Sequence, residues 1–275
     1  MSRSALLVML SACSVPSHAK PDAPVRDAPV DTRPDAPIDA PPIIETPLDY
    51  AGGTYTQTFD GLPKVALSSD MIAQTLPGRG PIPFSLLTGN TAATGMDGWE
   101  MANPSGSSAD TEFRIHDGSL SGADGRGIVS FGSDGASERA LGTLPTSNQV
   151  GVFGVLLKNT TSGTLTQLAI AFNGEQWRRG DVATPDTLTF EYGIADSLDA
   201  AGLTVDPALM FTAPIATGTD TALDGNDSAN RQALNKTITG LTWMPGATLA
   251  LRWTPSVQSG KDDALAIDDL SVSAL

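Results

Sequence analysis

Hydrophobic and polar residues alternate with a period of two along several short stretches of the chain. The pattern is clearest in TLTFEY at 187–192, where large apolar residues and polar residues occupy opposite faces. The same alternation recurs at 168–172 and at 249–253. Because side chains on one face of a β-strand recur every second residue, these stretches predict half-buried strands.

The run VGVFGVLL at 150–157 is apolar on both faces and predicts a central strand that is covered on both sides. No stretch of twelve or more residues has the 3.6-residue apolar spacing of a surface helix. We therefore expect little helix, and we place it in a turn around 196–202. Glycine-rich turn pairs such as DG at 117–118 and PG at 245–246 separate the predicted strands. Many short strands with such turns predict an all-β protein, an antiparallel β-sandwich.

The beginning of the chain has the order of features that is typical of an export signal. Arg3 precedes an apolar stretch at 5–10 that is too short to span a bilayer, and two small residues follow it. The sequence then reads Leu10-Ser11-Ala12-Cys13, and this cysteine is the only one in the chain. We assign 1–12 to a signal peptide.

These four residues resemble the lipobox of bacterial lipoproteins, in which the cysteine becomes the acylated first residue of the mature chain. The resemblance implies that acyl chains on Cys13 anchor the protein permanently to the membrane. Ser14 after the cysteine resembles the pattern that directs such proteins to the outer membrane. An ordinary secretory signal with an incidental thiol is the alternative.

The segment that follows the cysteine is rich in proline, aspartate and alanine. Asp-Ala-Pro recurs at 22–24, 27–29, 35–37 and 39–41, and nine of the twenty prolines lie between positions 16 and 47. Proline fixes φ and lacks a backbone donor, which prevents a helix interior or a central strand. We therefore assign 13–49 to the lipidated cysteine and a disordered linker that acts as a stalk, and 50–275 to the β-sandwich. A proline-rich ligand for a partner domain is the alternative for the linker.

Charge and composition exclude several classes of function. The formal net charge is −15, and residues 50–275 contain twelve Lys/Arg against twenty-four Asp/Glu. An excess of this size excludes a nucleic-acid partner and argues against electrostatic docking on anionic lipids. A single cysteine excludes an intramolecular disulfide and a multi-cysteine metal site. Two histidines, His18 and His116, leave little room for histidine-based metal chemistry.

Several motifs of the predicted sandwich are similar to those of an uncharacterised family of exported bacterial jelly-roll modules. They are YTQTFDGL at 55–62, FGSDG at 131–135, GEQWR at 174–178, LDGN at 223–226 and LAIDDL at 265–270. The ends, Phe59-Asp60 and Ile267-Asp268-Asp269, also resemble those of MAM and other laminin-G-like sandwiches. The resemblance implies a jelly-roll fold of the laminin-G/concanavalin-like type and implies no substrate.

The last predicted strand changes phase at Asp268-Asp269. Leu265 and Ile267 alternate on one parity, whereas Leu270 lies on the other. Such a change requires a β-bulge or a crossing between faces, and it directs one carboxylate towards the interior. A buried charge without a partner is very costly, so a positive charge is expected nearby.

Three outcomes are open for this acidic pair. The first is a salt bridge to Arg252 or Arg178. The second is a structural Ca²⁺ held with Asp60 and the loop at 262–263, which makes Asp60, Asp268 and Asp269 candidate metal ligands. The third is exposure of both carboxylates to solvent. No other cofactor is expected.

Glu175, Trp177 and Arg178 combine an acid, an indole and a guanidinium just after the strand predicted at 168–172. Glycan sites are built from such groups, so these residues are the candidate ligand-binding site. In the alternative interpretation, Trp177 closes the end of the sandwich and Arg178 pairs with Asp269 or Glu191. The sequence DGND at 224–227 lacks the sixth-position glycine and the terminal glutamate of an EF-hand loop, and we interpret it as a polar turn.

No catalytic residues are assigned. The sequence contains no GxSxG, HExxH, P-loop or GxGxxG motif, and nothing marks a serine and an acid as partners of His116. We favour a non-enzymatic surface lipoprotein that presents a binding module for glycans or for another surface protein. A purely structural envelope component and an unrecognised hydrolase of extracellular polymers are the alternatives. Exposed tryptophans beside Glu175 would favour binding, whereas four buried tryptophans would favour the structural role.

Overall fold

A computed structural model describes residues 46–64, 74–133, 135–181 and 183–275. These residues all lie in a compact unit that spans Pro42–Leu275. The predicted signal peptide, Cys13 and nearly all of the predicted linker lie outside the described residues. Within the described part of the chain, no helix has the length and apolar character needed to cross a bilayer.

The described residues form β-strands joined by turns and short 3₁₀ helices. In chain order the strands are β1 (Leu48–Tyr50), β2 (Thr54–Gln57), β3 (Gln74–Leu76), β4 (Ile82–Pro83), β5 (Trp99–Ala102), β6 (Thr111–His116), β7 (Gly127–Phe131), β8 (Ala140–Leu144), β9 (Val152–Asn159), β10 (Leu165–Arg179), β11 (Thr187–Ile194), β12 (Thr204–Val205), β13 (Phe211–Thr212), β14 (Thr221–Ala222), β15 (Arg231–Trp243), β16 (Thr248–Pro255) and β17 (Ala264–Ala274). The 3₁₀ helices are Phe84–Leu86, Gly89–Thr91, Gly122–Asp124 and Pro207–Leu209. The turn around 196–202 is present but is not helical, so the predicted location of helix is wrong, and the short 3₁₀ helices lie elsewhere.

The strands make two sheets. The first sheet has the order β12-β11-β16-β9-β5-β4, with β1 beside β9 and β13 beside β11. The second has the order β14-β10-β17-β8-β7-β6-β3, with β15 beside β10 and β2 beside β17. The pairings of β1 with β9 and of β6 with β7 are parallel, and the other pairings are antiparallel. The predicted all-β class is therefore confirmed, with two parallel pairings that the sequence did not indicate.

The two sheets face each other across an aromatic core. The Trp253 ring on β16 stacks on Phe153 of the same sheet, with 6.0 Å between centroids. From the opposite sheet, Phe172 on β10 meets Trp253 edge-on at 5.6 Å and an interplanar angle of 88°. Edge-to-face and offset pairs of this kind are the favourable arrangements of aromatic rings. The predicted sandwich is therefore confirmed, and Trp253 lies in its core.

Strand β9 is covered on both sides, as its apolar run predicts. Phe153 and Val155 face the main core. On the opposite side, Leu156 packs with Leu198 and Ala250 in a separate buried cluster. The loop after β11, which carries Leu198, thus covers the outer side of the first sheet.

Two predicted boundaries differ from the structure. Leu48 and Asp49, which we assigned to the linker, belong to β1 and pair with Leu157 and Lys158. Strand β10 does not end near residue 172 but continues to Arg179. Gly174 allows this continuation. Any other residue there would clash, because its Cβ would lie 2.3 Å from the Phe211 ring.

Candidate functional site

A β-bulge in β17 gives the acidic pair its two orientations. Ala171 of β10 pairs with Ser271, but Asn173 pairs with Asp268, so two residues of β17 stand opposite one residue of β10. Asp269 lies in the bulge with a φ of 51°. Asp268 is 5% exposed, whereas the side chain of Asp269 is 54% exposed. The predicted bulge is present and one carboxylate of the pair is buried, but Asp268 lies on the side of β17 that carries Ala264 and Ala266, not on the side that faces the core between the sheets.

Asp268 belongs to a cluster of three carboxylates on the outer face of the second sheet. Glu175 comes from β10, Asp268 from β17, and Glu138 from the loop between β7 and β8. One oxygen from each lies within 4.8 Å of one from each of the others. Glu175 is fully buried and Glu138 is half-buried. We call these three residues the carboxylate cluster.

Each member of the carboxylate cluster keeps one oxygen without a hydrogen-bond partner. Trp177 Nε1 donates to Glu175 Oε2 at 3.0 Å. The Asn226 side-chain amide donates to Glu138 Oε2. Glu138 Oε1, Glu175 Oε1 and Asp268 Oδ1 accept no hydrogen bond. Because buried polar atoms are nearly always hydrogen-bonded, three such oxygens at one place are unusual.

Arg231, the first residue of β15, supplies positive charge at the edge of the cluster. Its Nη2 atom lies 3.4 Å from Glu175 Oε1 and 3.4 Å from Asp269 Oδ2. Its side chain is 28% exposed, so solvent weakens both ion pairs. This one partly exposed guanidinium therefore pairs with one carboxylate of the cluster, Glu175, and with the neighbouring Asp269.

The two arginines proposed from the sequence lie elsewhere. Arg252 pairs with Glu191 through two 2.8 Å hydrogen bonds. Arg178 donates to Asp220 at 2.6 Å and to the Gly118 carbonyl at 2.7 Å. The predicted pairing of Arg178 with Asp269 or Glu191 is therefore wrong, because a nearer acid in the loop before β14 takes its guanidinium.

Burial and mutual repulsion raise the pKa values of two cluster members. Desolvation, followed by repulsion from Asp268, raises the pKa of Glu175 to about 8. Desolvation, followed by the negative charge of Asp269, raises the pKa of Asp268 to about 7. Both shifts express the cost of placing several negative charges in a poorly solvated volume.

Trp177 is buried and cannot serve as an exposed stacking platform. Its ring is 2% exposed and stacks on Phe131 at 5.7 Å and 11°. The turn at 224–227 lies directly against the ring: a Cβ on Gly225 would be only 2.3 Å from Trp177 Cε2. The other three tryptophans are also buried. The alternative interpretation is right that Trp177 is buried, but the ring lies with Phe131 in a cluster separate from the core between the sheets, and not at an end of the sandwich.

The three predicted metal ligands are not brought together. Asp60 is exposed and accepts a 3.1 Å hydrogen bond from Thr58. Asp269 accepts a 2.8 Å hydrogen bond from Asn173 on the exposed side of the bulge. Of the three, only Asp268 joins the carboxylate cluster.

Sequence reasoning missed two cluster contacts, Glu138 and Arg231. Neither residue lies in a stretch where alternating polar and apolar residues, or the spacing of a motif, would identify it as part of a site. The only signal was indirect, since the polar turn at 224–227 carries Asn226, which bonds Glu138.

His116 has a structural environment. Its Nδ1 accepts the Gly118 N–H at 3.1 Å, and its Nε2 lies 3.1 Å from the Gly125 carbonyl. Burial lowers the pKa of His116 to about 4, so the ring is neutral at pH 7. Glu175 has a second acid, Asp268, beside it, but its complete burial keeps a polymer substrate away.

An exposed polar surface lies on the same outer face, formed by β2, β17, β10 and β15. Cross-strand pairing places Thr54, Ser273, Ala169 and Thr237 in one row. The next row consists of Thr56, Ser271, Ala171 and Asn235. A groove of about 250 Å³ follows these rows. We call it the hydroxyl groove.

Charge is nearly absent from the hydroxyl groove. Lys236 is the only charged residue of its lining, and its Nζ is held by Asp206 at 2.6 Å. The groove therefore offers hydroxyls, one amide and alanine methyl groups.

Comparisons with known proteins gave matches among solved structures alone. No protein-family model matches the chain, and the search of curated proteins found no relative. The module TmCBM61, solved with β-1,4-galactotriose, is 11% identical with a TM-score of 0.28, over 52% of this chain and 74% of its own. A family 16 carbohydrate-binding module is 11% identical with a TM-score of 0.27, over 54% and 84%. The K3 cleaved adhesin domain of Lys-gingipain from Porphyromonas gingivalis is 12% identical with a TM-score of 0.31, over 64% and 91%. Sequence identities and TM-scores this low support no inference about function.

Proposed function

We propose that the chain is a cell-envelope lipoprotein whose β-sandwich binds a neutral glycan in the hydroxyl groove. In this proposal acyl chains on Cys13 hold it to the outer membrane, and the linker at 13–49 separates the lipid from the sandwich. The observation that supports glycan binding is the groove itself, an exposed face of hydroxyl, amide and methyl groups on an otherwise strongly acidic protein.

The chemistry of the groove suits sugars. Hydroxyls can both donate and accept hydrogen bonds, as sugar hydroxyls do. Thr54 and Thr237 offer theirs in the groove, and Ser273 Oγ, which donates to the Gly53 carbonyl at 3.0 Å, can still accept. Ala169 and Ala171 leave a flat apolar floor for the C–H faces of a pyranose ring. The excess negative charge of the sandwich repels polyanionic ligands, which leaves neutral glycans as the favoured class.

A glycan suits the groove better than a protein partner does. Protein interfaces depend on buried tryptophan, tyrosine and arginine anchors. The groove lining contains none of these residue types.

A glycan array with the full chain tests the ligand. We expect binding to neutral glycans, and we expect Ala169→Arg to weaken it at least about tenfold because the long side chain fills the groove. Ala222→Arg adds the same charge on exposed β14, outside the groove lining, and should leave binding unchanged. No binding across a broad neutral panel would refute the glycan proposal. Binding of a surface protein by the unaltered chain, lost in Ala169→Arg, would replace the glycan proposal with a protein partner.

The anchor has its own test. Cys13→Ala removes the acylated residue, so we expect the variant to leave the membrane fraction while the unaltered chain stays there after a high-salt wash. Membrane retention of Cys13→Ala would contradict lipid anchoring without affecting the glycan proposal.

A purely structural role in the envelope is the second candidate. The burial of all four tryptophans favours it, because the sandwich then offers no tryptophan for stacking on a sugar. This role predicts no binding on the array and no difference between Ala169→Arg and Ala222→Arg.

A further inference from the structure

We propose that the carboxylate cluster, Glu138, Glu175 and Asp268, is a binding site for Ca²⁺. This inference is independent of the proposed glycan site, because the cluster is buried beside Trp177 and contributes no residue to the hydroxyl groove.

The spacing of the carboxylates fits a calcium ion. Ca²⁺ binds oxygen ligands at about 2.3–2.6 Å, so two ligand oxygens on opposite sides of the ion are about 5 Å apart. The three cluster oxygens lie within 4.8 Å of one another. One ion can therefore contact all three without large movement of β10 or β17.

The oxygens that accept no hydrogen bond are an independent sign of a ligand. Glu175 is fully buried and Asp268 is 5% exposed, yet Glu175 Oε1 and Asp268 Oδ1 accept no hydrogen bond. Glu138 Oε1 completes the set. Glu175 Oε1 has only the partly exposed Arg231 at 3.4 Å, and a buried carboxylate whose charge is incompletely compensated is destabilising. A cation among the three carboxylates would supply each oxygen with a partner.

The local charge balance also calls for a divalent cation. The cluster and Asp269 together provide four carboxylates, whereas Arg231 supplies one positive charge that it divides between Glu175 and Asp269. A second predicted source of positive charge, Arg178, is held by Asp220. Ca²⁺ would remove most of the remaining excess.

The ligand chemistry selects calcium over other divalent ions. Among the described residues the cluster contains carboxylates only, with neither histidine nor cysteine. Zinc sites favour nitrogen and sulfur, and Mg²⁺ retains several waters with one or two carboxylates. A largely buried set of three carboxylates suits a larger ion that accepts irregular oxygen geometry.

Bound calcium would connect separate parts of the outer face. Glu175 and Asp268 come from neighbouring strands, and Glu138 comes from the β7–β8 loop. Through Asn226, Glu138 also holds the turn that packs on Trp177. We therefore expect calcium to raise thermal stability and to protect this turn from proteolysis.

Thermal unfolding of the full chain after chelation tests the proposal. Calcium at about a hundredfold above its Kd should raise the Tm by about 5–10 °C. Magnesium at the same concentration should raise it much less. No shift with calcium, or an equal shift with magnesium, would overturn the assignment.

Isosteric variants locate the effect. Glu175→Gln and Asp268→Asn each replace a buried carboxyl group, whose charged form is poorly solvated, with a neutral amide, so they should keep or raise the Tm of the metal-free protein and lose the calcium response. Glu112→Gln is the matched control, because Glu112 is equally buried but paired with Arg114 and Arg126. It should lower the Tm and keep the calcium shift. A calcium shift retained in Glu175→Gln and Asp268→Asn would overturn the proposal.

Terbium luminescence gives a readout that does not depend on stability. Tb³⁺ substitutes for Ca²⁺, and its emission is sensitised by a nearby indole. Trp177 is one hydrogen bond from Glu175, so excitation of tryptophan should produce Tb³⁺ emission that calcium competes away. Emission should fall at least about tenfold in Asp268→Asn and persist in Glu112→Gln. Equal emission from both variants would refute the site.

Discussion

The indole N–H of Trp177 donates a 3.0 Å hydrogen bond to Oε2 of Glu175, two residues away on the same strand. Both side chains therefore leave the same face of β10. The bond satisfies one oxygen of a fully buried carboxylate and leaves Oε1 towards Arg231. Trp177 thus has two roles: its ring packs on Phe131, and its N–H supports a buried carboxyl group.

Trp177→Phe should destabilise the protein more than the lost ring volume alone explains. The substitution leaves Glu175 Oε2 without a donor, which adds about 1–3 kcal/mol to the cavity cost. Urea unfolding of Trp177→Phe should show this loss. In a Glu175→Gln background the same substitution should cost less, because the carboxylate charge is gone. Equal costs in both backgrounds would show that the hydrogen bond contributes nothing.

Gly225→Ala should be destabilising by about 1–3 kcal/mol, because the new methyl group would lie 2.3 Å from Trp177 Cε2. The matched control is Gly163→Ala, since a Cβ there meets nothing within 4 Å and its backbone φ is not in the left-handed region. Chemical denaturation should show little change or a small gain for Gly163→Ala. Equal stabilities of the two variants would mean that the 224–227 turn moves freely off Trp177.

Alternation predicted the elements whose two faces differ in environment. Strands β11 and β16, the double-sided β9 and the bulge at Asp268-Asp269 were all predictable because residue parity reports which face is buried. Strand β10 was predicted too short because its outer face changes from exposed to buried near Asn173, which ends the alternation without ending the strand.

The carboxylate cluster could be predicted only in part. The phase change at residue 268 indicated a buried carboxylate, but its neighbours come from distant segments. Glu138 lies in a loop and Arg231 at the start of a strand, and no local period connects either one to Asp268. Their meeting depends on the pairing of β10 with both β15 and β17, which is a property of the topology.

Asp269→Val should be destabilising by about 2 kcal/mol. Asp269 has a φ of 51°, a region that aspartate and glycine tolerate and that a β-branched residue does not. Asp269→Gly should keep the bulge and cost less. Ser271→Val, on the regular part of β17 next to the bulge, serves as the control and should be tolerated. Thermal unfolding ranks the three variants by Tm. An equal fall in Tm for Asp269→Val and Ser271→Val would contradict backbone strain at the bulge.

His116 should make the protein less stable as pH falls from 7 to 4. Its folded-state pKa is about 4, below the ordinary value of 6.5, because burial disfavours the charged ring. Between these values the unfolded chain binds a proton that the folded chain does not, so the free energy of unfolding contributed by His116 decreases on acidification, by up to about 3 kcal/mol.

The buried Asp262, whose pKa is raised to about 7, contributes the opposite slope over this range, so wild type and His116→Gln must be compared at each pH. Glutamine can still accept from Gly118 and donate to Gly125, as the neutral ring does. The stability advantage of wild type over His116→Gln should therefore be largest at pH 7 and should shrink steadily towards pH 4 in urea titrations. An advantage that does not change with pH would show that the ring titrates normally in the folded protein.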